Sequence, residues 1–230
     1  MLQVQHLCSC GLLIACGNDA VLLDAPNTAH RTFQVMNCLF REKFEKNEEP
    51  FNRLNGLIFS HTHPDHCNLP EVKEYLRLHP NCKSFIPTYD TPDEGYIEFG
   101  SIGVQYKYIK HMDVPEGMKR HYVFLIEADG KTLYVTSDAV ANPQEHETFL
   151  RGRHVDIAFW NPYYLMQNQM REWITGANVC RHYVYHIPID ERDETGIRRK
   201  VQSCMENYYN QLAMFQLLTD YPSMIYKEEH

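Results

Sequence analysis

The chain is expected to form one α/β domain with sheets inside and helices outside, and three observations lead there. Short β-type runs alternate with segments whose apolar residues recur at helical spacing. Turn chemistry separates neighbouring runs, at Gly17-Asn18-Asp19 and again at Asp129-Gly130. The 230 residues are 43% hydrophobic and 23% charged, ordinary globular proportions for a chain long enough to bury a substantial core. No internal repeat, low-complexity tract or linker divides residues 1–230, so a single domain is expected.

Residues 11–15 and 20–23 are β-type runs joined by a turn, a hairpin that ends at Asp24-Ala25-Pro26. In 32–46, Phe33, Met36, Phe40 and Phe44 follow helical spacing. A short apolar strand at 56–60 runs directly into a histidine-rich loop. The next helix is predicted over 69–78: Pro70 suits a first turn, Glu71 and Glu74 favour the N-terminal half, and Pro80 stops it. A strand at 84–87 and a turn-rich loop at 91–95 follow. Strands come next at 104–109 and 121–127, the latter turning through Asp129-Gly130 into 133–136. A helix at 143–151, strands at 155–160 and 181–187, and a long C-terminal helix at 195–219 complete the pattern. Met205, Tyr208, Tyr209, Leu212 and Phe215 give that helix an apolar face. It is read as covering the sheet, with mating to a second subunit in a homodimer as the alternative.

The formal net charge of −8 argues against a broad basic surface, so an extended nucleic acid is not an expected partner and a small-molecule substrate is. Eight cysteines lack the paired CxxC spacing of a zinc knuckle. The N-terminus has no basic region, 7–17 is too short and too cysteine-rich for a signal peptide, and no run approaches the roughly 20 apolar residues that span a bilayer. The expectation is a reduced, cytoplasmic protein with no membrane partner, its cysteines acting as small buried hydrophobes. In Cys8-Ser9-Cys10 a single intervening residue would put both thiols on one face of a strand. Nothing else in the N-terminal segment completes a ligand set, so the pair is assigned to core or surface.

The chemistry concentrates in His61-Thr62-His63-Pro64-Asp65-His66, immediately after an apolar strand. A strand end is a rigid platform from which a loop aims several side chains at one point. His61 and His63, two apart, point to the same side of extended backbone, while Asp65 and His66 come as the chain turns and face a second point nearby. Imidazole and carboxylate together suit zinc, iron or manganese.

This run matches in full the HxHxDH signature of the metallo-β-lactamase superfamily, which the chain resembles over most of its length. Residues 20–25 look like the family's early strand ending in an aspartate, 56–66 like the strand leading into the metal loop, and 132–139 like the strand that delivers a bridging carboxylate. Many relatives have Gly before that carboxylate, where Ser137 stands here. The resemblance covers no counterpart of the last helix. It implies an αββα sandwich of two mixed sheets flanked by helices. It also implies two divalent transition-metal ions, zinc before manganese or iron. One would be held by His61, His63 and a mid-chain histidine, His111 in preference to His121. The other would be held by Asp65, His66 and a late histidine, His186 in preference to His182, with Asp138 bridging both. Asp65 would also orient the nucleophile, and Asp24 and Cys67 would support the ligands from behind. Trp160, Tyr163 and Tyr164 are candidates to line the substrate pocket, with ordinary packing weighed almost equally.

Two cations about 3.5–4 Å apart lower the pKa of a shared water towards neutrality and polarise a carbonyl or phosphoryl oxygen. The expected activity is therefore hydrolysis of a small ester, lactone or phosphodiester by metal-activated hydroxide. The alternatives are a thioester hydrolase or sulfur dioxygenase of the same fold, or a non-catalytic metal-binding scaffold. The oxygen-reducing diiron branch usually has Glu where His63 stands, which argues against that redox chemistry. His6, His30, His79, His146 and His154 lack matching partners and are read as surface histidines, and Arg171 and Arg181 as solvated charges by default.

Overall fold

Period-two apolar patterning, buried on both faces, builds the centre of the molecule. In the computed structural model, which describes residues 1–28, 31–112 and 120–228, the chain opens with strands β1 (Leu2–Cys8), β2 (Gly11–Cys16) and β3 (Asp19–Leu23). Helix α1 (Cys38–Glu45), β4 (Leu54–Ile58), α2 (Leu69–Leu78) and β5 (Lys83–Phe85) follow. Next come β6 (Glu94–Phe99), β7 (Ile102–Tyr108), β8 (Tyr122–Ala128), β9 (Lys131–Val135), α3 (Pro143–Leu150) and β10 (Val155–Trp160). The chain closes with α4 (Tyr163–Met166), α5 (Asn168–Gly176), β11 (Val179–Val184), α6 (Ile197–Asn207), α7 (Tyr209–Leu212), β12 (Phe215–Leu217) and β13 (Ser223–Lys227).

The strands form a six-stranded sheet ordered β13-β1-β2-β3-β4-β5 and a seven-stranded sheet ordered β12-β11-β10-β9-β8-β7-β6. Both are mixed, antiparallel along the hairpins and parallel where helices intervene, as at β3–β4–β5 and β9–β10–β11–β12. Alternation assigns each side chain its layer. On β2, Leu12, Ile14 and Cys16 enter the core between the sheets, while Leu13 and Ala15 face the layer that holds Phe44 of α1 and Val72 and Tyr75 of α2. On β8, Phe124 and Ile126 face the other sheet, and Val123 and Leu125 pack under α3 to α6. The result is the expected αββα sandwich. Among the described residues, no helix is long and apolar enough to cross a membrane.

The C-terminal ends of β3, β4, β9, β10 and β11 open on one edge of the sandwich, the usual location of sites in sheets with parallel strands.

Several elements differ from the sequence reading. The helix expected over 32–46 starts only at Cys38, because Asn37 caps it, its side chain accepting from Phe40 N–H. Upstream, Asn27 holds the chain out of helix by accepting from Met36 N–H and donating to the Gln34 carbonyl. The helix expected over 195–219 ends at Asn207; after α7 the chain enters β12, which pairs in parallel with β11 through His182↔Phe215. Leu212 and Phe215 fit a helical period, but Phe215 reaches the same core from the sheet edge. Strands β1, β6, β12 and β13 and helices α4 and α5 have no counterpart in the sequence reading.

Two histidines read as surface residues are fully buried, His6 and His146. His154 is exposed, His79 is half-buried, and His30 lies outside the described residues. His146 Nδ1 accepts from the Tyr134 hydroxyl at 2.5 Å, and its Nε2–H donates to the Val140 carbonyl at 3.0 Å, which defines a neutral ring. Burial lowers its pKa from 6.5 to about 4. The unfolded chain therefore takes up a proton here before the folded one does. His146 costs nothing above pH 6.5, and stability falls as pH drops from 6.5 towards 4, by about 1.4 kcal/mol per unit and about 3 kcal/mol in all. Chemical denaturation of wild type and His146→Asn across that range should show the excess slope in wild type alone; equal slopes would mean that the ring is not held neutral.

Candidate metal centre

The metal loop is lashed to its neighbours by backbone groups. His66 and Cys67 N–H donate to the His63 carbonyl at 3.0 and 2.8 Å, turning the chain so that residues after His63 face back across the strand end. Thr28 N–H donates to the Pro64 carbonyl and Asn68 N–H to the Pro26 carbonyl, both at 2.8 Å, tying the loop to the segment after β3.

Two groups of donor atoms converge. His61, His63 and His111 form one, with ligand atoms within 4.8 Å of one another, and Cys10, His66, Asp138 and His186 form the other under the same limit. His61 Nε2 and His63 Nδ1 are 2.9 Å apart. The Asp138 carboxylate stands between the groups: Oδ2 lies 3.1 Å from His66 Nε2, 3.5 Å from His111 Nε2 and 3.8 Å from His61 Nε2, and Oδ1 lies 3.3 Å from His186 Nε2. Asp65 borders the second group, its Oδ2 3.8 Å from Nε2 of both His66 and His186.

The competing histidines separate by their hydrogen bonds. His121 donates from Nδ1 to the Ile109 carbonyl and accepts Asp138 N–H at Nε2, each at 3.0 Å, so both ring nitrogens serve the backbone. Its burial lowers its pKa to about 3, as such a neutral ring requires. His182 Nδ1 accepts from Trp160 Nε1 inside the core beneath the helices, away from both groups. Of the three aromatic candidates, only Tyr163 lines the cavity above the donors. Trp160 and Tyr164 are fully buried in the helix-side core, where the β10 alternation and the Tyr164 hydroxyl bond to the Ala139 carbonyl place them. Cys67 is buried behind the loop in the layer under α2, and burial pushes its thiol up to about 12. Arg171 is buried rather than solvated; it donates to the Leu165 carbonyl and Asn168 Oδ1 and stacks over Tyr208 at 3.5 Å.

Behind the donors sits Asp24, fully buried at the end of β3. It accepts from Ser60 N–H at 2.7 Å, Ser60 Oγ–H at 2.8 Å, Ser137 Oγ–H at 3.0 Å and His66 Nδ1–H at 3.1 Å. With the Ser60 proton directed to Asp24, its oxygen accepts from His61 Nδ1–H at 2.9 Å. Both rings then direct Nε2 to the site, where a metal ion would bind. Asn161 donates to Asp138 Oδ1 at 3.0 Å, and Ser9 Oγ lies 2.6 Å from His186 Nδ1. Sequence reasoning missed Ser9, Ser60 and Asn161, and it assigned Cys10 to core or surface. Only their position after strand ends or in a hairpin loop could have singled them out.

Electrostatics suits a cation. Burial alone would lower His66 and His186, yet the acidic groups around them, Cys10 and Asp138 with Asp24 added at His66, raise both well above 6.5. Burial alone would raise Asp138, and His186 and His66 hold it well below 3.8. The same buried acidic groups that favour protons on these rings would hold a metal ion in their place. The donor set of imidazole, carboxylate and thiol fits a transition metal at this centre.

No family model and no curated protein matches the chain. Similarity appears among solved structures. A mutant of the CmlA β-hydroxylase superposes with a TM-score of 0.67 at 12% identity over 97% of this chain, and CmlA from Streptomyces venezuelae, a diiron enzyme, with 0.63 at 11% over 97%. This chain spans only 53% of the mutant's length. A possible metal-dependent hydrolase from Veillonella parvula gives a TM-score of 0.65 at 14% identity, covering 98% of this chain and 99% of the other. The metallo-β-lactamase fold protein YhfI from Bacillus subtilis gives 0.64 at 12% identity, covering 96% and 97%. The chain therefore has the metallo-β-lactamase fold.

Ser137 occupies φ +46°, a region that favours glycine. Its hydroxyl, bonded to Asp24 and 2.8 Å from Ser60 Oγ, offsets that strain. Ser137→Gly relieves the backbone and loses the hydroxyl; Ser137→Ala loses the hydroxyl and keeps the strain. Both should lower the denaturation midpoint, with alanine the worse by about 1 kcal/mol. Equal midpoints would remove the strain argument.

Proposed function

We propose that this chain is a metal-dependent hydrolase acting on a small neutral ester or lactone. The observation that carries the reading is the pair of donor groups sharing Asp138 at the floor of an open cavity of about 520 Å³. His61, His63 and His111 would hold one ion; His66, Asp138 and His186, bordered by Asp65, would hold the other, with zinc favoured over manganese or iron. Such a pair, when bound, supplies a nucleophilic water at neutral pH and polarises the oxygen of the bond to be cleaved.

The lining of the cavity supports a neutral substrate. Phe33, Met112, Pro162, Tyr163 and Ile197 give it apolar walls, and among the described residues that line it there is no Lys or Arg. Among these described residues a phosphodiester would find no cationic side chain, whereas a neutral ester or lactone would fit the apolar walls. Asp65, 7% exposed at that floor, would accept a proton from the attacking water at Oδ2 and return it to the departing alkoxide. The bond that forms joins the water oxygen to the acyl carbon, and the acyl–oxygen bond breaks. A scaffold that had kept only the fold would tolerate lost donors; here every expected position keeps its donor.

Elemental analysis of protein purified without chelator should find about two equivalents of transition metal per chain, falling in His63→Ala and Asp138→Ala. The loaded protein should turn over esters and lactones faster than phosphodiesters. No metal bound after zinc, manganese and iron are offered would sink the hydrolase reading. Separately, Asp65→Asn should lower kcat about a hundredfold or more with little change in KM, and an unchanged kcat would remove Asp65 from proton transfer.

A further inference from the structure

Cys10 lies in the two-residue loop of the first hairpin, since Cys8 pairs with Gly11 across the β1–β2 turn. Its side chain is fully buried and its sulfur belongs to the same group as the ligand atoms of His66, Asp138 and His186, all within 4.8 Å of one another. One side of Cys10 packs into the core between the sheets, a role that alanine or valine would fill. The other side faces three metal-ligating groups, which no core role requires.

The loop is held in that place. His186 N–H donates to the Ser9 carbonyl at 3.2 Å, His6 Nε2 lies 2.9 Å from the same oxygen, and Ser9 Oγ lies 2.6 Å from His186 Nδ1. A loop pinned at its first residue to one donor of the group delivers its second residue to the group itself. Asp65, by contrast, stays at the border of the group and on the cavity floor.

We propose that Cys10 Sγ is a ligand of the second metal ion, completing with His66, Asp138 and His186 a mixed sulfur, nitrogen and oxygen set. The inference rests on the metal-centre reading above and deepens it. Ligation is proton exchange without redox change: the Sγ–H bond breaks, its proton passes to solvent, and the sulfur lone pair binds the cation. A thiolate makes the second position softer than the all-imidazole first one. It favours zinc or cobalt over manganese there and leaves Asp65 to the substrate side.

Apoprotein titrated with cobalt(II) tests this without any substrate. Cobalt bound through thiolate gives an intense near-ultraviolet sulfur-to-metal band, whereas nitrogen and oxygen ligands give only weak visible bands. Wild type should develop the intense band, Cys10→Ser should lack it, and Cys8→Ser and Cys67→Ser should keep it. Zinc affinity at the weaker position of Cys10→Ser should fall about a hundredfold or more. Zinc-edge X-ray absorption of wild type should show a sulfur neighbour, which keeps the test independent of whether the variant folds. Cobalt uptake without the band, a band that persists in Cys10→Ser, or a sulfur-free zinc shell would overturn the role of Cys10 while leaving the metal centre standing. Failure to take up any metal would overturn both.

Discussion

The site depends on one buried carboxylate. Asp24 ends β3 in the first sheet, takes two donors from Ser60 at the end of β4, one from His66 in the metal loop, and one from Ser137 after β9 in the second sheet. A carboxylate in the interior is costly unless its lone pairs are filled, and removing partners from such a group costs several kcal/mol. That cost makes the arrangement all-or-none: the two strand ends, the loop and the facing sheet must come to one register for Asp24 to be satisfied. The position of Asp138 relative to His61 and His66 follows from that constraint, because Ser137 precedes Asp138 and Ser60 precedes His61.

The backbone around this hub stores strain. Asp24, Ser137 and His186 have φ of +48°, +46° and +57°, where residues other than glycine pay about 1 kcal/mol or more. Each stands just after a strand, and the left-handed conformation swings its side chain from sheet parity towards the centre. Hydrogen bonds hold the first two. For His186 the restraints are the Ser9 contacts and Phe33, stacked on its ring at 3.9 Å. Phe33 also lines the cavity, so on the proposed reading a substrate would enter against the residue that steadies the His186 ring.

Much of this was legible in the sequence because it is local. The run from His61 to His66 carries its donors in six consecutive residues, and alternating apolar strands give the layers without long-range information. What was not legible depends on pairing. Cys8 and Cys10 look like neighbours on one strand face, but the chain reverses between them, so Cys8 packs under the helices and Cys10 turns to the site. The resemblance already preferred His111 to His121, but the physical reason lies in pairing: the Ile109 carbonyl and Asp138 N–H that occupy His121 come from beyond the ends of β7 and β9. The last helix failed for a similar reason. The apolar positions to Phe215 fit a helical period, and only the open edge of β11 makes a strand the better partner for the residues after α7.

The distribution of charge between the two donor groups gives the centre a direction. The first group is three neutral-type imidazoles, with burial holding His61 well below 6.5, so its share of negative charge comes only from Asp138 across the gap. The second group contains Asp138 itself, backed by Asp24 through His66, and is bordered by Asp65. A cation facing imidazoles keeps more of its charge for a substrate oxygen, while one facing anions has more of it neutralised by the protein. On the proposed reading, His63 and His111, both lining the cavity, would mark the electrophilic side, and Asp65, which also lines it, the side where a proton is exchanged. A single carboxylate stands between the two groups, and Asn161 and the bond of its own N–H to His121 hold Asp138 from behind rather than leave it to swing between them.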